Sequence, residues 1–211
     1  MKNKKYLVTL LFFISLFSCF TCFASDIRFS GGYTKVSLQD GNRTVELSDG
    51  AKASTDTINI EADKVFLYGQ DYRYTDCTGN VKVRETEHNL EVKATSLFYD
   101  REQESLLANG WIEIDDAENE AQLSGAWFEY SIKERIMVLQ MKATITKNTE
   151  RGILSCKADS IEYNAEKQTL ELRGNADVSW GSDSYKASYI LVNIDTEEVV
   201  LQGSITGEIN G

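Results

Sequence analysis

Proline is absent from all 211 residues and histidine occurs once, as His88. Without proline, no strand edge is blunted by a missing N–H, so any free edge needs another form of protection. A single histidine, in the polar stretch Glu87-His88-Asn89, leaves metal-type Cys/His spacing and His-based catalysis without their usual residues, and a turn is its expected place. Cysteine is also scarce. Of four, Cys19 and Cys22 lie in an apolar leader, and Cys77 and Cys156 form neither a CxxC pair nor a disulfide framework. Basic residues are outnumbered, 22 against 33. Nucleic acid and anionic membrane surfaces, which need a basic face, are poor partners for such a chain. GxSxG, P-loop and HExxH motifs are missing, so no cofactor, metal or catalytic residue is assigned. The acidic run Asp115, Asp116, Glu118, Glu120 lacks the glycine and ligand spacing of a calcium loop and reads as a solvated turn.

What is present begins with an export signal. Lys2, Lys4 and Lys5 precede the apolar stretch Tyr6 to Phe23, and Cys22-Phe23-Ala24 ends it as a cleavage site. Cleavage after Ala24 leaves residues 25–211 as one domain, with 19 basic and 33 acidic residues once the three leader lysines are gone. Acylation at Cys19, or retention of residues 6–24 as an anchor, are the alternatives.

Beyond the leader no helical period is sustained; alternation with period two replaces it, and it repeats about every 31 residues. One half-unit has an apolar position, a small residue, then two apolar positions in the opposite parity. It appears as Ile60, Ala62, Val65, Leu67, then as Val92, Ala94, Leu97, Tyr99. Further copies are Leu123, Gly125, Phe128, Tyr130, then Cys156, Ala158, Ile161, Tyr163, and finally Tyr185, Ala187, Ile190, Val192. The other half-unit alternates through glycine: Gly79, Val81; Ala108, Gly110, Ile112; Leu172, Gly174, Ala176; Val199, Leu201, Gly203, Ile205. In the third unit Met141 replaces glycine, between Leu139 and Ala143. A parity flip cannot occur in a regular strand that keeps one buried face, so each strand must bulge or turn a corner there. The chain is therefore expected to be all-β, with bent hairpins stacked around an apolar trough. A sandwich, a jelly roll and a broad solenoid all satisfy this pattern.

The phrases Ile60-Glu61-Ala62-Asp63-Lys64-Val65 with Cys77-Thr78-Gly79-Asn80-Val81, and Cys156-Lys157-Ala158-Asp159-Ser160-Ile161-Glu162-Tyr163 with Arg173-Gly174-Asn175-Ala176, carry a family signature. They resemble the OstA-like family of lipopolysaccharide-transport proteins. So does Val92-Lys93-Ala94-Thr95-Ser96-Leu97-Phe98-Tyr99-Asp100 with Ala108-Asn109-Gly110. The resemblance covers roughly residues 45–207; the third unit departs from it in both half-units. It implies bent-hairpin repeats stacked into an open β-jellyroll in the periplasm. It further implies lipopolysaccharide or a similar glycolipid as ligand, and inner- and outer-membrane transport components, or further copies head to tail, joined through edge strands.

On that basis the expected lipid-lining residues are Ile60, Val65, Leu67, Val81, Val92, Leu97, Tyr99, Leu123, Phe128, Tyr130, Leu139, Ile161, Leu172 and Ile190. The expected assembly edge is the final strand, Val199 to Thr206 with Leu201, Gly203 and Ile205, which carries no charge, facing an N-terminal edge within Ile27 to Leu47. Rival functions are a membrane-anchored partner of the same fold, a scaffold with a full interior that binds nothing, and a carbohydrate-active enzyme on a β-solenoid.

Overall fold

The structure, a computed structural model, describes residues 26–39, 41 and 43–210. The leader, its cleavage after Ala24 and both anchoring alternatives lie outside these residues. Two short strands open the fold, β1 (Arg28–Ser30) and β2 (Tyr33–Ser37). Ten long ones follow: β3 (Thr44–Ser54), β4 (Ile58–Tyr68), β5 (Tyr74–Glu85), β6 (Leu90–Asp100), β7 (Ser105–Asp116), β8 (Ala121–Ser131), β9 (Ile136–Thr149), β10 (Gly152–Asn164), β11 (Thr169–Trp180) and β12 (Asp183–Asn193). The short strands β13 (Glu198–Gln202) and β14 (Thr206–Glu208) close it. Among the described residues there is no α-helix, only a 3-10 turn at Gln70–Tyr72, and no helix that could cross a membrane.

From β3 to β13 each strand pairs antiparallel with the next, so order along the chain is order across the sheet. β1 and β2 pair with different parts of β3, and β13 and β14 with different parts of β12. Each end of the sheet thus carries a strand broken in two, and the ends do not pair with each other. The sheet is open.

The parity flips of the sequence are bulges. Between β6 and β7 the register steps from Lys93–Glu113 to Ser96–Asn109, setting three residues of β7 against two of β6. The same step recurs in β4–β5, β8–β9 and β10–β11. The added residue restores the inward face on the far half of each strand. Left-handed backbone makes the bend: Gly79 (φ 75) with Asn80 (φ 48), and Gly174 (φ 74) with Asn175 (φ 50). A Cβ at Gly79 would run into the Asp63 carboxylate, and one at Gly174 into Asp159. Asn80 then donates to Asp63 at 3.0 Å, and Asn175 to Asp159 at 2.9 Å. The recurring alanine-acid step and the Gly-Asn pair are two sides of one interlock.

Turns line up along two lips. One lip carries turns 69–73, 101–104, 132–135, 165–168 and 194–197; the other carries 55–57, 86–89, 117–120, 150–151 and 181–182. Turns are hydrogen-bonded in series along each lip, as Ile132 N–H is to Glu104 and Ala117 N–H to Asn89, with the strand ends Asn148 and Ile153 making the links on either side of turn 150–151. Strand-end side chains cap the turns: Asp100 accepts the N–H groups of Glu102 and Gln103, and Asn164 accepts that of Lys167.

The lips touch. Glu118 on one pairs with Arg135 on the other at 3.0 Å, although both halves of every strand lie between them. The bent sheet has therefore folded over, bringing its two inner half-faces together as one apolar core.

Candidate functional site

All the lipid-lining positions expected from the sequence fall on these inner faces and pack into the single core. Ile60, Val65, Leu67, Val81, Val92, Leu97, Tyr99, Leu123, Phe128, Tyr130, Leu139, Ile161, Leu172 and Ile190 are all buried. The trough is closed rather than open. At its N-terminal mouth, between Ala53, Ile58 and Ile60 on one half and Leu67, Thr75 and Tyr99 on the other, the free space is about 10 Å³. That is room for about one water.

The rims of the closed trough differ from its floor. Along one lip a single cross-strand row runs Thr75, Tyr99, Leu106, Tyr130, Met137, Tyr163, Leu170. Three tyrosines thus stand at equivalent points, one per repeat. Along the other lip the row is Ile58, Glu85, Leu90, Asp116, Ala121, Lys147, Leu154, Trp180, Asp183. Here charged groups alternate with apolar ones as far as Leu154, and Trp180 and Asp183 end the row. Burial pushes the Tyr99 phenol up to about 12 and raises those of Tyr130 and Tyr163. Carboxylates of the facing lip, Glu85, Asp116 and Glu118, act in the same direction. Burial likewise raises the Asp116 carboxyl and lowers the Lys147 ammonium.

This rim was the part that sequence reasoning missed. The run from Asp115 to Glu120 does not form a solvated turn throughout. Asp116 continues the inward alternation of Ile112 and Ile114, is buried, and accepts from Asn119 N–H at 3.0 Å and from its amide at 2.8 Å. Lys147 continues Ala143 and Ile145 in the same way, and its ammonium donates to the Asn119 carbonyl. The signal was there: one further step of each alternation. The acidic run offers no metal cluster among the described residues.

His88 sits in the turn after β5, with Nδ1 3.1 Å from the buried Glu85 carboxylate, whose other contacts are the N–H groups of Glu87 and His88. Cys77 and Cys156 are buried and unpaired on inner faces. Burial pushes both thiols up to about 12. They lie five strands apart, roughly 24 Å at 4.8 Å per strand, beyond the reach of a disulfide.

The expected assembly edge needs correction. The last strand does not run unbroken from Val199 to Thr206: a left-handed pair, Gly203 (φ 69) and Ser204 (φ 50), divides it into β13 and β14. The stretch 199–206 is uncharged, but Glu198 opens β13 just before it and Glu208 closes β14 just after it. Val199 and Leu201 pack partly on the core, whereas Ile205 beyond the break is exposed. At the other end the free edge is β1 and β2; Leu47 lies one strand further in and is buried.

The family model described as LptA/(LptD N-terminal domain) LPS transport protein matches residues 34–198. Among solved structures, the chain is similar to LptH from Pseudomonas aeruginosa, described as the LptA homologous periplasmic component of the conserved lipopolysaccharide transport device. That similarity has a TM-score of 0.54 at 13% identity, covering 59% of this chain and 97% of the other. At that identity it speaks for the fold. No curated protein matches the chain.

Proposed function

The chain belongs to the LptA/(LptD N-terminal domain) LPS transport protein family, and from that premise we propose that it is a periplasmic carrier or bridge segment. In this reading it holds the acyl chains of lipopolysaccharide, or a similar glycolipid, between its two inner half-faces and passes the lipid toward the outer membrane. The observation that carries the reading is the seam: an apolar interior continuous across the long strands, bordered by tyrosines on one lip and charged groups on the other. Such a seam suits an amphiphile, with chains inside and headgroup at the rim. Each methylene transferred from water contributes about 0.8 kcal/mol, so no chemistry is needed to drive loading. Because the interior is filled, the two halves must part as chains enter, and lipid contacts replace those between side chains. Transport components of the inner and outer membranes, or further copies, would join at the edge strands.

The filled interior also supports a second reading, a scaffold that binds nothing. A photocrosslinking side chain placed at Leu97 or Ile161 separates the two. In cells making lipopolysaccharide these inner positions are expected to trap lipid, while Glu102 and Glu166 in the turns do not. Equal trapping from both sets, or from neither, would sink the carrier reading.

A further inference from the structure

One turn crosses the seam. Residues 117–120, between β7 and β8, are held on their own lip by Asp116 through the Asn119 N–H and amide, by the Lys147 ammonium on the Asn119 carbonyl, and by Asn148 N–H on the Glu120 carbonyl at 3.1 Å. The same turn reaches across to two turns of the opposite lip. Glu118 pairs with Arg135 at 3.0 Å, and the Asn119 side-chain oxygen accepts from Gln168 at 2.9 Å. Asn119 thus uses its backbone N–H, its carbonyl and both ends of its amide at once. Tethers on the home lip fix the pose of the turn; the two bonds across the seam are the ones that must break if the halves part.

Those two bonds are of the kind that breaks easily. Both partners of the ion pair are partly exposed, which screens it. Arg135 is incompletely satisfied in the closed state, because its buried Nε has no hydrogen-bond partner. A buried donor left without a partner in the closed state lowers the cost of releasing the pair.

We propose that residues 117–120 are a latch: release of Glu118 from Arg135 and of Asn119 from Gln168 opens the trough midway along the sheet, and their return closes it. The proposal rests on the acyl-chain reading for its purpose, but opening itself can be measured without lipid. Cys156 supplies the reporter. Its thiol lies on the inner face of β10 with 0% exposure, so a maleimide reaches it only when the halves separate.

The test is the rate of maleimide addition at Cys156, followed by peptide mass mapping in the full chain, with thermal stability measured alongside. Glu118→Lys and Arg135→Glu are each expected to speed addition at least fivefold while the melting temperature stays within about 3 °C. The double variant, which rebuilds the pair in reverse, is expected to return within twofold of wild type. Unchanged rates in both single variants, or a double variant as fast as the singles, overturn the latch. If Cys77 labelling rises in step with Cys156 as stability falls, global unfolding explains the labelling and the latch is again overturned. Failure of the acyl-chain reading shows instead as absent lipid trapping at Leu97 and Ile161, with these rates unaffected.

Discussion

Met141 stands in the β9 bulge opposite Ala126 of β8, at the level where Gly79 faces Asp63 and Gly174 faces Asp159. The repeat without the glycine has alanine where Asp63, Thr95 and Asp159 overhang Gly79, Gly110 and Gly174. With no such side chain above it Met141 fits, but the backbone remains left-handed, with φ 62 at both Met141 and Lys142. That conformation costs an L-residue about 1–2 kcal/mol, and glycine returns part of it as chain entropy, roughly 0.5–1 kcal/mol. Met141→Gly is therefore expected to stabilise by about 0.5–1 kcal/mol, seen as a melting temperature about 2 °C higher. Ala126→Asp alone should destabilise, and in the Met141→Gly background it should be tolerated. An additive double variant would contradict the interlock.

The reverse change probes the intact interlock. At Gly174 a β-branched side chain meets both a left-handed backbone and the Asp159 carboxylate, whereas at Gly181 (φ 60) the nearest obstacle is the Arg151 carbonyl at 3.2 Å. Gly174→Val should lower the melting temperature well beyond Gly181→Val, and Asp159→Ala should recover part of the loss only at Gly174. Equal melting of the two glycine variants would remove the bend from that position.

Two carboxylates should respond to acid in opposite senses. The Arg73 guanidinium, 2.6 Å from Asp100, holds its carboxyl below the usual range; burial opposes this, and the N–H groups of Gln103 and Glu102 assist. Asp100 then contributes stability that is present above its unfolded value near 4 and is lost as pH falls through the lower folded value. Asp100→Asn should accordingly be destabilised at pH 7, with the gap from wild type closing toward pH 2. Asp116 is raised by burial, so its cost at neutral pH is relieved as pH falls through the folded value. Asp116→Asn should compare best with wild type at pH 7 and lose that advantage in acid. Denaturant titrations across pH 2 to 7 decide both; parallel curves for the two variants would refute the assignment.

Legibility followed locality. The step in parity between Ala94 and Leu97 can arise only from a bulge, and the structure has one there. Glycines 79, 110 and 174 marked the facing strand for the same reason, and Tyr99, Tyr130 and Tyr163 reach equivalent rim positions. The crossing of the seam was not legible, because Glu118 with Arg135, and Asn119 with Gln168, meet only through the fold of the whole sheet. Nor could the pattern separate an open trough from a filled one, since Phe128 or Leu139 would face inward in either. The break at Gly203 was visible as a glycine, but its effect on the last strand depends on β12 stopping its pairing at Tyr189 and resuming at Lys186.

Among the described residues, β13 and β14 pair only with β12, and β1 and β2 only with β3, so each presents one unpaired side. Large apolar groups are exposed on or beside them, with Phe29, Tyr33 and Val36 at one end and Val200 and, between β13 and β14, Ile205 at the other. Glu198 and Glu208 blunt the second edge only at its extremities. A free backbone ladder beside exposed apolar side chains is a surface for strand addition. Dissimilar edges joining head to tail extend rather than close. The Ser188 N–H bonds the Gly203 carbonyl at 2.7 Å, and antiparallel alternation then turns the N–H of Gln202 away from β12, toward the free side. Proline there removes an outward donor while leaving the ladder to β12 intact. Gln202→Pro is thus expected to keep its melting temperature within about 3 °C and to stay monomeric where the wild type grows with concentration in light scattering. A wild type that remains monomeric at high concentration would show that these edges do not join copies of this chain.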